Sequence, residues 1–324
     1  MENPKYEINY NDTIIRNGKT LYGIRSLKNF GNINIGDLGG YIEKENNLSQ
    51  YGNCWIYPDC YVYDDAFIED NAVVMRNSEV FGNAVVRSDS IVIENSKIYD
   101  NAYITGKSFI ENSKVYGNTN LLGSPVVSDN SEVFGNVKLK RHCIITNNSK
   151  IYDNAVISND AYVKNAEVFG NVNIGGKVII LDNSKICGTT NTISNVVFSE
   201  DAYIRNNNEF LFISPINKSD ITFYKTKYKD VIKVFDNNLF DDKINSVGFN
   251  IKEYKKIISK KYKDNKELKD LYNMCIIMAL IKFGKKDFDY ITNKLFEIKE
   301  IKNKFLQSFR SHISEYDFYH EEEL

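Results

Sequence analysis

The sequence predicts a mostly β fold: a left-handed parallel β-helix of about 18 residues per coil, with a small N-terminal cap and a C-terminal β-hairpin plus α-helical domain. The first observation behind this is a six-residue period in aliphatic residues. Ile56, Val62, Ile68 and Val74 begin a series that runs to Ile110. A five-residue step opens a second series from Val115 to Val163, and another opens a third from Val168 to Ile204, 26 hexads in all. The second observation is that the residue two places earlier is mostly small, as in Ala66, Ala72, Ser78, Ala84, Ser96 and Ala102. An inward-facing corner has room for little else. The third is the Asn, Asp or Gly that precedes it, as in Gly82-Asn83, Asp100-Asn101 and Gly135-Asn136. These residue types tolerate the left-handed backbone of a tight corner.

Three hexads therefore close one triangular coil. The right-handed crossover rule does not bind here, because the connections are too short to hold a helix. Roughly nine coils at about 4.8 Å give a prism about 40 Å long. Both five-residue steps fall between the first and second faces, at Asn112 and Asn165, and read as tightened corners.

Residues 51–204 form this prism and residues 1–50 its cap. In the cap, residues 6–10 and 13–16 read as short strands and 36–40 as a Gly-rich turn. Solenoid ends need such covers against end-to-end association. Residues 205–249 are a linker and hairpin, opened by the polar breaker Arg205-Asn206-Asn207-Asn208, with strands at 221–226 and 231–235. Residues 250–324 change to helical periodicity, with helices expected at about 251–262, 265–283, 286–299 and 300–314. The second is apolar nearly all round through Leu271, Cys275, Ile276, Met278 and Ile281, which predicts burial.

Outward positions form vertical columns. On the second face, Tyr63, Phe81, Tyr99, Tyr116, Phe134, Tyr152 and Phe169 fall in register beside Glu79, Lys97, Lys114, Glu132, Lys150, Glu167 and Lys185. Mostly alternating charges stabilise the stack, and Tyr99, Tyr116, Phe134 and Tyr152 also form a candidate strip for an acidic or repetitive partner. The first face carries Val73, Ile91, Phe109, Val126, Ile144, Tyr162, Ile179 and Val197. Such an outward apolar stripe requires a cover. A neighbouring subunit is expected to supply it, with a homotrimer favoured over the chain's own C-terminal helices, and Ile91, Phe109, Val126, Ile144, Tyr162 and Ile179 as its contact residues.

Composition excludes several classes. The formal net charge is -2, so no general nucleic-acid partner is expected. Residues 205–324 hold 23 Lys and Arg against 19 Asp and Glu, which leaves 18 against 24 for residues 1–204. Cys54, Cys60, Cys143, Cys187 and Cys275 are odd in number and contain no Cys-x-x-Cys pair; neither a disulfide framework nor a metal site is indicated, and a reducing cytoplasm fits. No secretory leader and no membrane span is read from the chain.

The blocks Leu21-Tyr22-Gly23-Ile24-Arg25, Gly36-Asp37-Leu38-Gly39-Gly40-Tyr41-Ile42-Glu43, Asn47-Leu48-Ser49-Gln50 and Cys54-Trp55-Ile56 resemble the opening of a hexapeptide-repeat family common in bacteriophage and prophage genomes. Its Asn-Ala-x-Val-Tyr-Gly units are matched by Phe81-Gly82-Asn83-Ala84 and Tyr116-Gly117-Asn118, and its ending by Ile221-Thr222-Phe223-Tyr224-Lys225-Thr226. The resemblance covers residues 15–283 and implies a phage-related origin and a bacterial host cytoplasm. It implies no reaction, although members are often labelled acyltransferases from the repeat alone.

Acyltransferases on such prisms use a general-base His. Only His142 lies in the array, at a corner in Lys138-Leu139-Lys140-Arg141-His142, with Asp160 one coil above. No loop is inserted to close a site there, and no cofactor motif is found. The sequence therefore favours a self-associating scaffold or binding protein that recognises a host or phage partner. One alternative is sequestration of a nucleotide signal at subunit interfaces lined by Lys140 and Arg141. The other is acyl transfer through His142 and Asp160.

Overall fold

The computed structural model describes residues 4–192, 194–216, 219–228, 231–239 and 248–285. The predicted parallel β-helix of about nine coils is its main body. Its strands are short, often two residues such as Val73–Val74 and Glu79–Val80, and stack into three sheets of nine, nine and eight strands, one of which three cap strands extend to twelve. All 26 expected inward residues are buried. Coil pairs with coil in parallel register, as Ile98 with Val80 and Val115, and Leu139 with Leu121 and Ile157. A buried backbone without partners would be costly, and this pairing satisfies it. Serine replaces alanine at inward corners because its hydroxyl can donate to the carbonyl three residues back. Ser78 does so to Met75 at 2.8 Å and Ser149 to Thr146 at 2.6 Å.

The corners explain the two five-residue steps. Between the first and second faces the chain usually turns on two consecutive left-handed residues, such as Glu94-Asn95 (φ 56° and 57°), Asp129-Asn130 (55° and 59°) and Asn147-Asn148 (54° and 60°). At Asn112 (φ 44°) and Asn165 (φ 49°) a single left-handed residue makes the turn. One residue is lost and the strand register is kept, since Lys97 still pairs with Lys114 and Lys150 with Glu167.

The cap differs from expectation in two respects. Residues 6–10 and 13–16 belong to one strand, Tyr6–Arg16, antiparallel to Lys19–Ser26, with a bulge between Asn9 and Thr13. Residues 36–40 are less a turn than the entry to strand Leu38–Ile42, which pairs in parallel with Tyr61–Val62 and so grafts the cap onto the second-face sheet. Gly39 and Gly40 serve close approach: a Cβ on Gly39 would lie 2.8 Å from the Ile56 carbonyl oxygen, and one on Gly40 2.5 Å from that of Cys60. Trp55 seals this end beneath Phe30 and Tyr6.

At the other end, Phe198 meets Phe210 and Tyr224 edge-on, and the Val197 amide donates to the Thr222 hydroxyl at 3.2 Å. The expected hairpin is part of a larger unit. Phe210–Ile216, Ser219–Lys225, Ile232–Asp236 and Phe249–Asn250 form a four-stranded antiparallel sheet, so a strand lies within what reads as a linker. Helices α1 (Ile251–Lys261) and α2 (Lys266–Lys282) pack on this sheet. Asn250 and Glu253 form a reciprocal cap on α1. Tyr272, Met274, Cys275, Ile276 and Ala279 of α2 are buried, whereas Met278 and Ile281 are only partly so. The helices expected at 286–299 and 300–314 lie outside the described residues. No described helix is long and apolar enough to cross a membrane.

Replacing Val133 by Asp should abolish folding, because an unpaired carboxylate buried among aliphatics costs several kcal/mol. The expected result is loss of the β circular dichroism signal. A soluble variant with an unchanged spectrum would contradict the assignment of Val133 to the core.

Candidate interaction surfaces

The second face is a set of ladders imposed by the coil spacing. From Tyr63 to Phe169 the seven rings stack face to face, with centroids 4.6–5.1 Å apart and planes within 6°. Tyr99, Tyr116, Phe134 and Tyr152 are thus brought together. Their π-faces are covered by one another, and they offer a partner only ring edges and the tyrosine hydroxyls. Burial pushes the Tyr99 and Tyr152 hydroxyls up to about 12, with Tyr116 next to Tyr99 and Glu167 next to Tyr152 adding to the effect.

The charged column pairs largely within the chain. Lys97 meets Glu79 at 3.4 Å, Lys114 meets Glu132 at 3.1 Å and Lys185 meets Glu167 at 3.1 Å. Each exposed pair contributes about 0.2–1 kcal/mol. A third ladder runs along the next corner, where each asparagine amide donates to the Oδ1 of the next, from Asn83 through Asn101, Asn118, Asn136 and Asn154 to Asn171, at 2.9–3.0 Å. The sequence showed these asparagines only as corner formers; their 17- or 18-residue spacing was the available signal for a ladder.

The first face is different. Its outward column begins at Trp55 and ends at Val197, both 1% exposed because the cap and the C-terminal sheet cover them. Between them Val73, Ile91, Phe109, Val126, Tyr162 and Ile179 are half-buried, and Ile144 is exposed at 37%. Helices α1 and α2 bury their apolar sides on the C-terminal sheet instead of this stripe. One polar notch interrupts the neighbouring column: Ser128 donates to the Thr146 hydroxyl at 2.9 Å, and Thr146 in turn donates to the Asp129 carboxylate.

Lys140 and Arg141 stand apart from the aromatic strip, on the longer third-face strand Lys138–Arg141. The proposed binding residues therefore divide between two places. Arg141 holds φ 63° at a corner where the adjacent coil has Gly123, and neither residue pairs with a carboxylate among the described residues. His142 and Asp160 are both exposed, and no hydrogen bond or ion pair joins them. Stacking one coil apart has placed them near each other without orienting the imidazole. A cleft of about 460 Å³ lies where the last coils meet the C-terminal sheet, lined by Asp182, Glu200, Asp201, Thr226, Tyr228 and Lys233 among others. Lys233 pairs with Glu200, and Lys227 pairs with Asp201 at 2.8 Å. Burial, with Glu200 nearby, raises the Asp182 carboxyl against the opposing Lys164. No group of three or more His, Cys, Asp or Glu suited to a metal occurs among the described residues.

Neither a protein-family model nor a curated protein sequence matches the chain.

The stacked tyrosines predict a pH dependence. A hydroxyl whose pKa is raised by folding stabilises the folded state below the unfolded value near 10 and loses that contribution as pH climbs through about 12. Denaturant midpoints should therefore fall between about pH 10 and 12, and changing Tyr99 and Tyr152 to Phe should flatten the decline. An equal decline in that variant would assign it to other groups.

Proposed function

We propose that this protein is a non-catalytic scaffold that self-associates through its first face and presents the rest of the prism to a host or phage partner. The observation that carries the reading is the window in the first-face column. Its ends are closed by the chain's own cap and C-terminal sheet, while seven apolar residues from Val73 to Ile179 stay at the surface. A chain that covers both ends of a stripe with its own segments has the means to cover the middle, and α1 and α2 pack elsewhere.

A second copy is the occupant that fits. It offers a flat face of the same length, with side chains at the same coil-to-coil repeat, so apolar residues can meet level by level. Exposed apolar columns of this extent mark association surfaces, and closed symmetry satisfies every copy alike. Among the described residues His142 has no orienting partner, which supports a binding role over acyl transfer. The resemblance of the N-terminal blocks to the phage and prophage family supports action in the cytoplasm of a bacterial host.

Changing Phe109 and Ile144 together to Glu should leave the circular dichroism spectrum intact, since both side chains point outward, and should convert the assembly to monomers in light scattering. An assembly unchanged in mass would place the contact on another surface, and a monomeric wild-type protein would overturn the reading.

A further inference from the structure

At two levels the edges of the first face carry charges that form no ion pair among the described residues. At the level of Phe109, Lys107 stands on the entry edge and Glu111 on the exit edge; at Tyr162 the pair is Asp160 and Lys164. All four are exposed or half-exposed, and none forms an ion pair with another described residue. The second-face column behaves otherwise, since most of its charges are paired inside the chain. At both levels the two edges are of opposite sign, and the sign reverses between them.

We infer that two copies dock first face against first face with their prisms parallel and unshifted, related by a twofold axis running along the prisms. This rests on the self-association proposed above and specifies its partner and register. Rotation about such an axis sets the entry edge of one copy against the exit edge of the other at the same level. Lys107 then faces Glu111 and Asp160 faces Lys164, each twice, around a centre in which the two apolar columns meet. The arrangement is isologous and closed. Three flat faces about a threefold axis would instead touch along their edges and leave the apolar columns facing a central channel. Opposite charges at the rim fix register and orientation more than they add affinity.

The test is a complementary charge reversal in the full chain. One variant carries Lys107→Glu and Asp160→Lys; the other carries Glu111→Lys and Lys164→Glu. In native mass spectrometry the wild type should be a dimer that weakens at least about tenfold as salt is raised. Each variant alone should be monomeric, because both of its edges meet like charge. An equimolar mixture should restore a one-to-one dimer, because both edges are then matched. A variant that unfolds is replaced by its Lys107→Glu or Glu111→Lys single form, for which the same restoration on mixing is expected. Homodimers that persist in either variant overturn the geometry, since an antiparallel pair, which sets like edge on like edge, would tolerate reversal of one edge. A wild-type trimer, or an oligomer indifferent to all reversals, also overturns it while leaving self-association in place. A wild-type monomer overturns both.

Discussion

Backbone hydrogen bonds between successive coils set a single spacing for everything outside them. Amides and carbonyls pair from coil to coil along almost the whole prism, from Trp55 with the Ala72 carbonyl to Cys187 with that of Ile204. A side chain at a given position therefore meets the side chain 17 or 18 residues away. The rings of Tyr99 and Tyr116 lie 4.6 Å apart, the asparagine amides 2.9–3.0 Å from their acceptors, and Lys114 3.1 Å from Glu132 as consequences of that one repeat. Each ladder adds little per rung. Their sum stiffens a fold in which every coil contacts only its neighbours.

The same repeat divides the surface by what it leaves unsatisfied. The second face satisfies itself: rings cover rings and lysines mostly meet glutamates. The first face cannot, because stacked aliphatics protect one another only along the prism axis and remain open outward. Its ends are closed by Phe30 and Tyr6 over Trp55 and by the sheet strand carrying Thr222 beside Val197. What stays open is an apolar window whose rims carry Lys107, Glu111, Asp160 and Lys164 without ion pairs among the described residues, a combination suited to a partner of equal repeat.

Local spacing made most of the prism readable. The small residue at each corner, the Asn or Asp beside it and the aliphatic two places on are dictated by steric room and left-handed backbone, which act within a single hexad. The cap and the C-terminal unit were read less well because their partners are distant in sequence. Residues 36–40 look like a turn from their glycines, yet Gly39 and Gly40 are there because the Ile56 and Cys60 carbonyls pass close by. Phe210–Ile216 followed a polar breaker and offered no alternation strong enough to separate strand from linker, although it pairs with Ser219–Lys225.

By itself, then, the sequence determined the six-residue period, the inward and outward assignment of each residue, the aromatic and apolar columns and the positions of the two short corners. These follow from local sterics and from a period that repeats without reference to the rest of the chain. Only the tertiary structure decided which columns are consumed and which stay open. The aromatic rings turn their faces to one another, His142 stands exposed without a bond to Asp160, and helices α1 and α2 bury themselves on a sheet of their own. Those outcomes depend on ring orientation, side-chain direction and the packing of segments far apart in the chain, which no spacing within a hexad encodes.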